Sequence, residues 1–107
     1  MTGQAVATNV FAAISAPARR EILSRLAERE MPVQKLAESF DMSLPAVSQH
    51  LAVLRGAGLV SVKKEGKQRI YQLNAGPLKD VAEWVQEYEK FWTGKMAALG
   101  DYLKENP

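Results

Sequence analysis

The chain has 107 residues, of which 47% are hydrophobic and 24% charged, and its formal net charge is +2. That length supports one hydrophobic core and not two, so a single domain over residues 1–107 is expected. There is no cysteine, which excludes disulfides, thiolate metal sites and thiol redox sensing, and no apolar run approaches the roughly 20 residues needed to span a membrane.

In chain order, Val6, Val10, Phe11 and Ile14 form a short apolar face at helical spacing. Ser15 is placed to cap a second helix, with Pro17 in its first turn. That helix is expected to reach about Glu30, with Ile22, Leu23 and Leu26 facing inward. Arg19, Arg20, Arg25 and Arg29 alternate with Glu21, Glu28 and Glu30, the pattern of a solvated, salt-bridged face. Arg19 and Arg20, near the helix start, are the two of these that a phosphate could reach. Met31-Pro32 breaks the chain, and Val33 to Phe40 reads as a short helix with Leu36, Ala37 and Phe40 inward. Asp41 and Met42 make the turn into the next helix.

Ser43 suits an N-cap, since its hydroxyl can accept from an unpaired N–H of the first turn, and Pro45 falls where a missing N–H costs nothing. Val47, Leu51 and Leu54 then recur at i, i+4 and i+7, one apolar stripe. Leu44, Pro45, Ser48, Gln49 and Ala52 lie on the other side, which carries no acid to repel phosphate. Arg55 sits in the last turn, where a cation suits the helix dipole, and Gly58 is the expected left-handed residue beyond it. Two short helices joined this way form a helix-turn-helix, whose second helix can enter the major groove of DNA while the first braces it.

Val60 and Val62 alternate with Ser61 and Lys63, and Ile70-Tyr71 opens a second strand that ends near Leu73. Glu65-Gly66-Lys67 reads as the hairpin loop, with Gly66 supplying positive φ. Lys63, Lys64, Lys67 and Arg69 cluster at its tip. From Leu44 to Gln72 five Lys or Arg accompany one acid. Residues 1–43 hold five basic and five acidic groups, and residues 73–107 hold four and six. The positive excess therefore belongs to the helix–hairpin stretch, a footprint for an anionic partner. The expected fold is mostly α with a small two-stranded β-wing, in the order α-α-α-α-β-β-α: a winged helix-turn-helix. On it, Ser48 and Gln49 are placed to read base edges, since Gln can pair with adenine. Ser43, Arg55, Lys63, Lys64, Lys67 and Arg69 are placed to fix position on phosphates.

The last segment, from Gly76-Pro77 to about Glu105, reads as one long helix, or two with a break at Thr93-Gly94. Leu78, Val81, Val85, Tyr88, Trp92, Met96, Leu99 and Leu103 recur at steps of three and four, and Trp84, Phe91 and Tyr102 widen the stripe. One small core cannot cover so much aromatic surface. The remainder suits a second copy of the chain or a small-molecule pocket.

Three blocks resemble the ArsR/SmtB family of winged-helix repressors, in family order: Phe11 to Leu23, Ser43 to Leu51 with Leu54-Arg55 and Gly58-Leu59-Val60, and Gly66 to Leu73. The resemblance implies a homodimeric, DNA-binding transcriptional regulator, a repressor on a near-palindromic operator, with its terminal helices (about 5–15 and 77–105) pairing the two chains. Interface residues are then Val6, Val10, Phe11 and Ile14, with Val81, Trp84, Val85, Tyr88, Phe91, Trp92, Met96 and Leu99. It also sets His50, the only histidine, against the neighbouring helix or a DNA phosphate. The chain departs from the family at Leu44, where a polar residue is more usual, so a base contact at that position stays open; Leu44 and Pro45 are both counted on the expected DNA-binding face. Many members sense metals through Cys-x-Cys in the first helix of the motif, or through His and acidic groups on the last helix. Here Met31 to Leu36 has no cysteine and Leu78 to Lys104 no histidine.

No metal and no cofactor is therefore expected, and the effector, a small molecule or a partner protein, is left open, as is activation in place of repression. A winged helix used only for protein interaction is the alternative, against which the basic wing argues. An enzyme is not expected: there is no nucleophile–base pair, and Gly56-Ala57-Gly58 is a helix end, not a dinucleotide fingerprint. The start of the chain lacks the pattern of a signal peptide, and a cytoplasmic location is the expectation. Stoichiometric zinc should leave the thermal midpoint unchanged; a chelator-reversible rise of several degrees would reveal a metal site.

Overall fold

The computed structural model describes residues 9–93. Among the described residues the elements follow in the order α1 (Val10–Ala13), α2 (Pro17–Glu28), β1 (Met31–Pro32), α3 (Val33–Glu38), α4 (Leu44–Gly56), β2 (Val60–Glu65), β3 (Gln68–Leu73) and α5 (Leu78–Gln86). The winged helix-turn-helix expected from the residue pattern is present, with one added strand.

The core forms where the apolar stripes of α2, α3 and α4 meet the sheet. Ile22, Leu36, Val47, Leu51, Leu54 and Leu59 are its largest fully buried side chains. α4 touches α1, α2, α3 and β2, so its stripe is enclosed on several sides. At about 25 cal/mol per Å², each such side chain stabilises the fold by roughly 1.5–3 kcal/mol.

Both ends of α4 follow from local chemistry. Ser43 Oγ accepts from the Ala46 N–H at 3.3 Å. At the other end Ala57 is the C-cap, and Gly58 adopts φ +78°. The Gly58 N–H bonds to the Arg55 carbonyl and the Leu59 N–H to the Leu54 carbonyl, both at 2.9 Å. These paired bonds are a Schellman cap, which needs a left-handed residue at that point. Asn74 then ties the wing to the same turn: its Nδ2 donates to the Gly58 carbonyl and its N–H to the Leu59 carbonyl, each at 2.7 Å.

Met31-Pro32 is more than a break. It pairs antiparallel with β3, Met31 opposite Tyr71 and Pro32 opposite Ile70, giving a three-stranded sheet in the order β1-β3-β2. Proline is tolerated there because β1 is an edge strand. The β2–β3 hairpin is longer than expected, since β3 starts at Gln68 and not Ile70. Gly66-Lys67 is its two-residue turn, with φ positive only at Gly66, the pattern of a type II′ turn.

Three expectations are corrected. Ala16, not Ser15, is the N-cap of α2 and gives no side-chain cap; the Ser15 hydroxyl instead donates back to the Ala12 carbonyl at 2.7 Å. α2 stops at Glu28, because Arg29 is already extended to enter β1. α5 turns at Glu87-Tyr88, where the N–H groups bond three residues back to Trp84 and Val85, before residues 89–93 resume helix. The expected break beginning at Thr93 involves Gly94, which lies outside the described residues, as do Val6, Met96 and Leu99.

Gly58→Ala should lower stability by about 1–2 kcal/mol through the left-handed penalty. Urea unfolding measures it, and an unchanged midpoint would mean that the helix end has another cap available.

Candidate nucleic-acid interface

With Val47, Leu51 and Leu54 sealed in the core, α4 can present only its opposite side to solvent. Ser43, Leu44, Pro45, Ser48, Gln49, Ala52 and Arg55 are all exposed there. Helix spacing therefore assembles the face expected from the sequence, with the hydrogen-bonding Ser48 and Gln49 side by side in the middle. Leu44 is 43% exposed, an apolar contact point at the N-terminal end. His50 is half-buried, with Nδ1 3.4 Å from Arg19 Nη1.

The wing divides its cations between two sheet faces. Val60 opposes Leu73, Val62 opposes Tyr71, and the next pair in that row is Lys64 opposite Arg69. Two like charges directly across a ladder destabilise it. The core has ended by this point of the row, and both side chains are exposed. Among the described residues, Arg55, Lys64, Lys67 and Arg69 have no carboxylate partner. An anion laid along the hairpin would relieve this repulsion.

Lys63 lies on the other face and differs. Its Nζ is 2.9 Å from Glu30 Oε2 and 3.2 Å from Glu65 Oε2. Gln72 Nε2 donates to Glu30 Oε1 at 2.9 Å. The register explains the cluster: Met31 opposes Tyr71, so Glu30, one residue earlier, comes level with Gln72. The Lys63 ammonium holds the Glu30 carboxyl below its usual range, with help from the Gln72 amide and against partial desolvation. Glu30, and then Glu65, raise the Lys63 ammonium above its own range. Lys63, expected from the sequence to serve phosphate alongside Lys64 and Lys67, thus differs from them in already having two carboxylate partners within the chain.

Arg19 and Arg20 are likewise occupied. Arg20 Nη1 donates to the Ile14 carbonyl at 2.8 Å, and Arg19 reaches the Ala12 and Ala13 carbonyls. Both close off the C-terminal end of α1. A four-residue helix gives little periodic signal in the sequence, so the capping of its C-terminal carbonyls by these two arginines is visible only in the structure.

A second surface lies across α1 and α5. Phe11 meets Trp84 edge-on with ring centroids 5.9 Å apart, Trp84 meets Tyr88 at 5.5 Å, and Tyr88 meets Phe91 at 6.4 Å. These four rings and Trp92 stay exposed, Phe91 at 63%. Trp84, Val85, Tyr88 and Trp92 line an open apolar groove. Val10, by contrast, is buried in the chain's own core, and Ile14 and Val81 pack against that core. Among the described residues expected at an interface, Phe11, Trp84, Tyr88, Phe91 and Trp92 are the exposed ones, and Val85 lines the groove beside them.

Among the described residues no three His, Cys, Asp or Glu side chains gather as a metal site, and no helix is long and apolar enough to cross a membrane.

A family profile described as bacterial regulatory protein, arsR family, matches residues 16–62. The chain is 39% identical over 80 residues to the transcriptional repressor SdpR of Bacillus subtilis, covering 75% of this chain and 89% of that protein. Its fold is similar to an ArsR-like transcriptional regulator from Rhodococcus sp. RHA1, with TM-score 0.67, 28% identity, and 95% and 96% of the two chains covered. It is also similar to HlyU from Vibrio cholerae, with TM-score 0.62, 33% identity, and 79% and 92% covered; the HlyU of that species is named a transcriptional activator.

Replacing Lys64 or Lys67 by Ala should flatten the dependence of log K on log salt for DNA binding by roughly one unit. Lys63→Ala should leave that slope nearly unchanged, and a full-unit loss would return Lys63 to the phosphate contacts. Glu30 stabilises the fold above its unfolded pKa, and this is lost as pH falls through its depressed folded value. Lys63 does so below its unfolded pKa, and this is lost as pH rises through its raised folded value. The melting difference between wild type and Glu30→Gln should thus persist across neutral pH and close at both the acidic and the strongly alkaline end.

Proposed function

The chain belongs to the ArsR family of bacterial regulatory proteins, DNA-binding transcription regulators and not enzymes, and from that premise we propose that it works as a homodimeric repressor on a near-palindromic operator. The observation that carries the reading is the pairing of an acid-free, exposed α4 face with wing cations that have no partner among the described residues. α4 lies in the major groove with Ser48 and Gln49 at base edges, and Arg55, Lys64, Lys67 and Arg69 hold the flanking phosphates. Ser43 and His50 add polar contacts to the backbone.

The second copy covers the aromatic surface of α1 and α5. Four exposed rings in contact, with exposed Trp92 on the same groove, make a patch of the kind that marks interfaces, and aromatic residues are the usual anchors there. Twofold pairing would set two recognition helices about 34 Å apart or a multiple of that, and occupancy of such a site excludes other proteins from the promoter. Repression is favoured by the name of the similar SdpR. The site of action is the cytoplasm, where operator DNA is found.

The test is fluorescence anisotropy with the duplex upstream of the chain's own gene against a scrambled duplex, at several salt concentrations. A preference of about a thousandfold or more, with a steep salt slope and two chains per duplex, is expected. No binding to either duplex at low salt would favour a protein-interaction module instead. Gln49→Ala should relax preference at one base position by about 1–3 kcal/mol, measured on single-base operator variants. Phe91→Glu should raise the dimer dissociation constant at least about tenfold in sedimentation equilibrium. Unchanged dimerisation would remove this face from the interface.

A further inference from the structure

Arg19 leaves the first turn of α2 and ends among three partners. Nε donates to the Ala13 carbonyl at 2.6 Å, Nη2 donates to the Ala12 carbonyl at 3.2 Å, and Nη1 faces His50 Nδ1 at 3.4 Å. The first bond satisfies the Ala13 carbonyl, and the second adds to the bonds that the Ser15 N–H and hydroxyl already make to the Ala12 carbonyl; a capping role accounts for both. It does not account for the third. A guanidinium carries donors only, so in this contact Nδ1 is the acceptor.

What these three atoms connect gives the contact its meaning. Ala12 and Ala13 directly follow Phe11, whose ring stands on Trp84 at the start of the aromatic surface. His50 directly follows Gln49 on α4. One planar, half-buried side chain therefore holds α1 with two hydrogen bonds and α4 with a third. A lysine in its place would supply a compact point charge and could not span both.

We propose that Arg19 is a positioning residue for DNA binding: it holds His50, and with it the outer face of α4, at an orientation set by α1 and the aromatic surface. The proposal rests on the DNA-binding reading of α4 given above. Its consequence is that whatever covers Phe11 and Trp84 also steadies the helix that reads DNA, through Arg19.

Two readouts test it. The first is the ring 15N spectrum of the free protein, which is unambiguous because His50 is the only histidine. Arg19→Met and Arg19→Lys should both shift those signals. The second is a double-mutant cycle on the ratio of specific to non-specific affinity. The probe is the tightest duplex that the wild type selects from a randomised pool, and dimer content is checked by sedimentation. Arg19→Met and His50→Phe should each lower the ratio about five- to tenfold, and the double variant should bind no worse than His50→Phe alone. His50→Asn, whose amide oxygen can accept where Nδ1 does, should retain most of the ratio. If Arg19→Met does not fold, Arg19→Lys takes its place in the cycle. Unmoved ring signals would overturn the contact itself, whether or not DNA is bound. Shifted signals with multiplicative losses would overturn the positioning role while the DNA-binding reading stands. A wild type that selects no sequence would overturn that reading and the positioning role with it.

Discussion

Everything in this domain depends on the burial of one helix stripe. Val47, Leu51 and Leu54 are almost completely removed from water by contacts from several elements. A helix fixed on one side has no rotational freedom left, so its other side becomes a surface of definite composition. Ser48, Gln49 and Arg55 are presented to solvent because the stripe three and four residues away is held in the core. The two caps set its length: Ser43 starts the helix and the Gly58 turn ends it, which also sets where the wing emerges.

The wing shows how the same charge can have two uses. Lys63 and Lys64 are neighbours in sequence, yet a strand sends them to opposite faces. One meets Glu30 and Glu65; the other meets Arg69 across the ladder. The first ties β2, across β3, to the segment between α2 and β1. The second keeps a local repulsion that an anionic partner would relieve. Net charge alone could not distinguish them, because the counts are identical whichever lysine is paired.

The aromatic surface is the counterpart of the polar one. α5 has no buried residue; Leu78 and Val81 pack partly against the core while its rings remain in solvent. The turn at Glu87-Tyr88 interrupts the helix after Trp84 and Val85, yet Tyr88 and Trp92 still line one apolar groove with them. α1, only four residues long, is held between this surface and the arginines of α2. Its position thus depends on both.

Signals acting within a turn or a strand pair were legible in the sequence: the Ser43 cap, the i, i+4, i+7 stripe of α4, the positive φ at Gly58 and Gly66, the basic hairpin and the apolar excess at the C-terminal end. Each is set by sterics or periodicity over a few residues, and those residues carry it wherever the segment lies. Tertiary structure alone decided the third strand, the pairing of Glu30 with Gln72 and Lys63, and the capture of α1 by Arg19. Glu30 and Gln72 are 42 residues apart, and their meeting follows from the register between β1 and β3. Arg19 meets His50 across 31 residues because α2 and α4 pack on one core. Which ionic and hydrogen-bonding groups end up paired is a property of distances between segments, and only the packed chain fixes those distances.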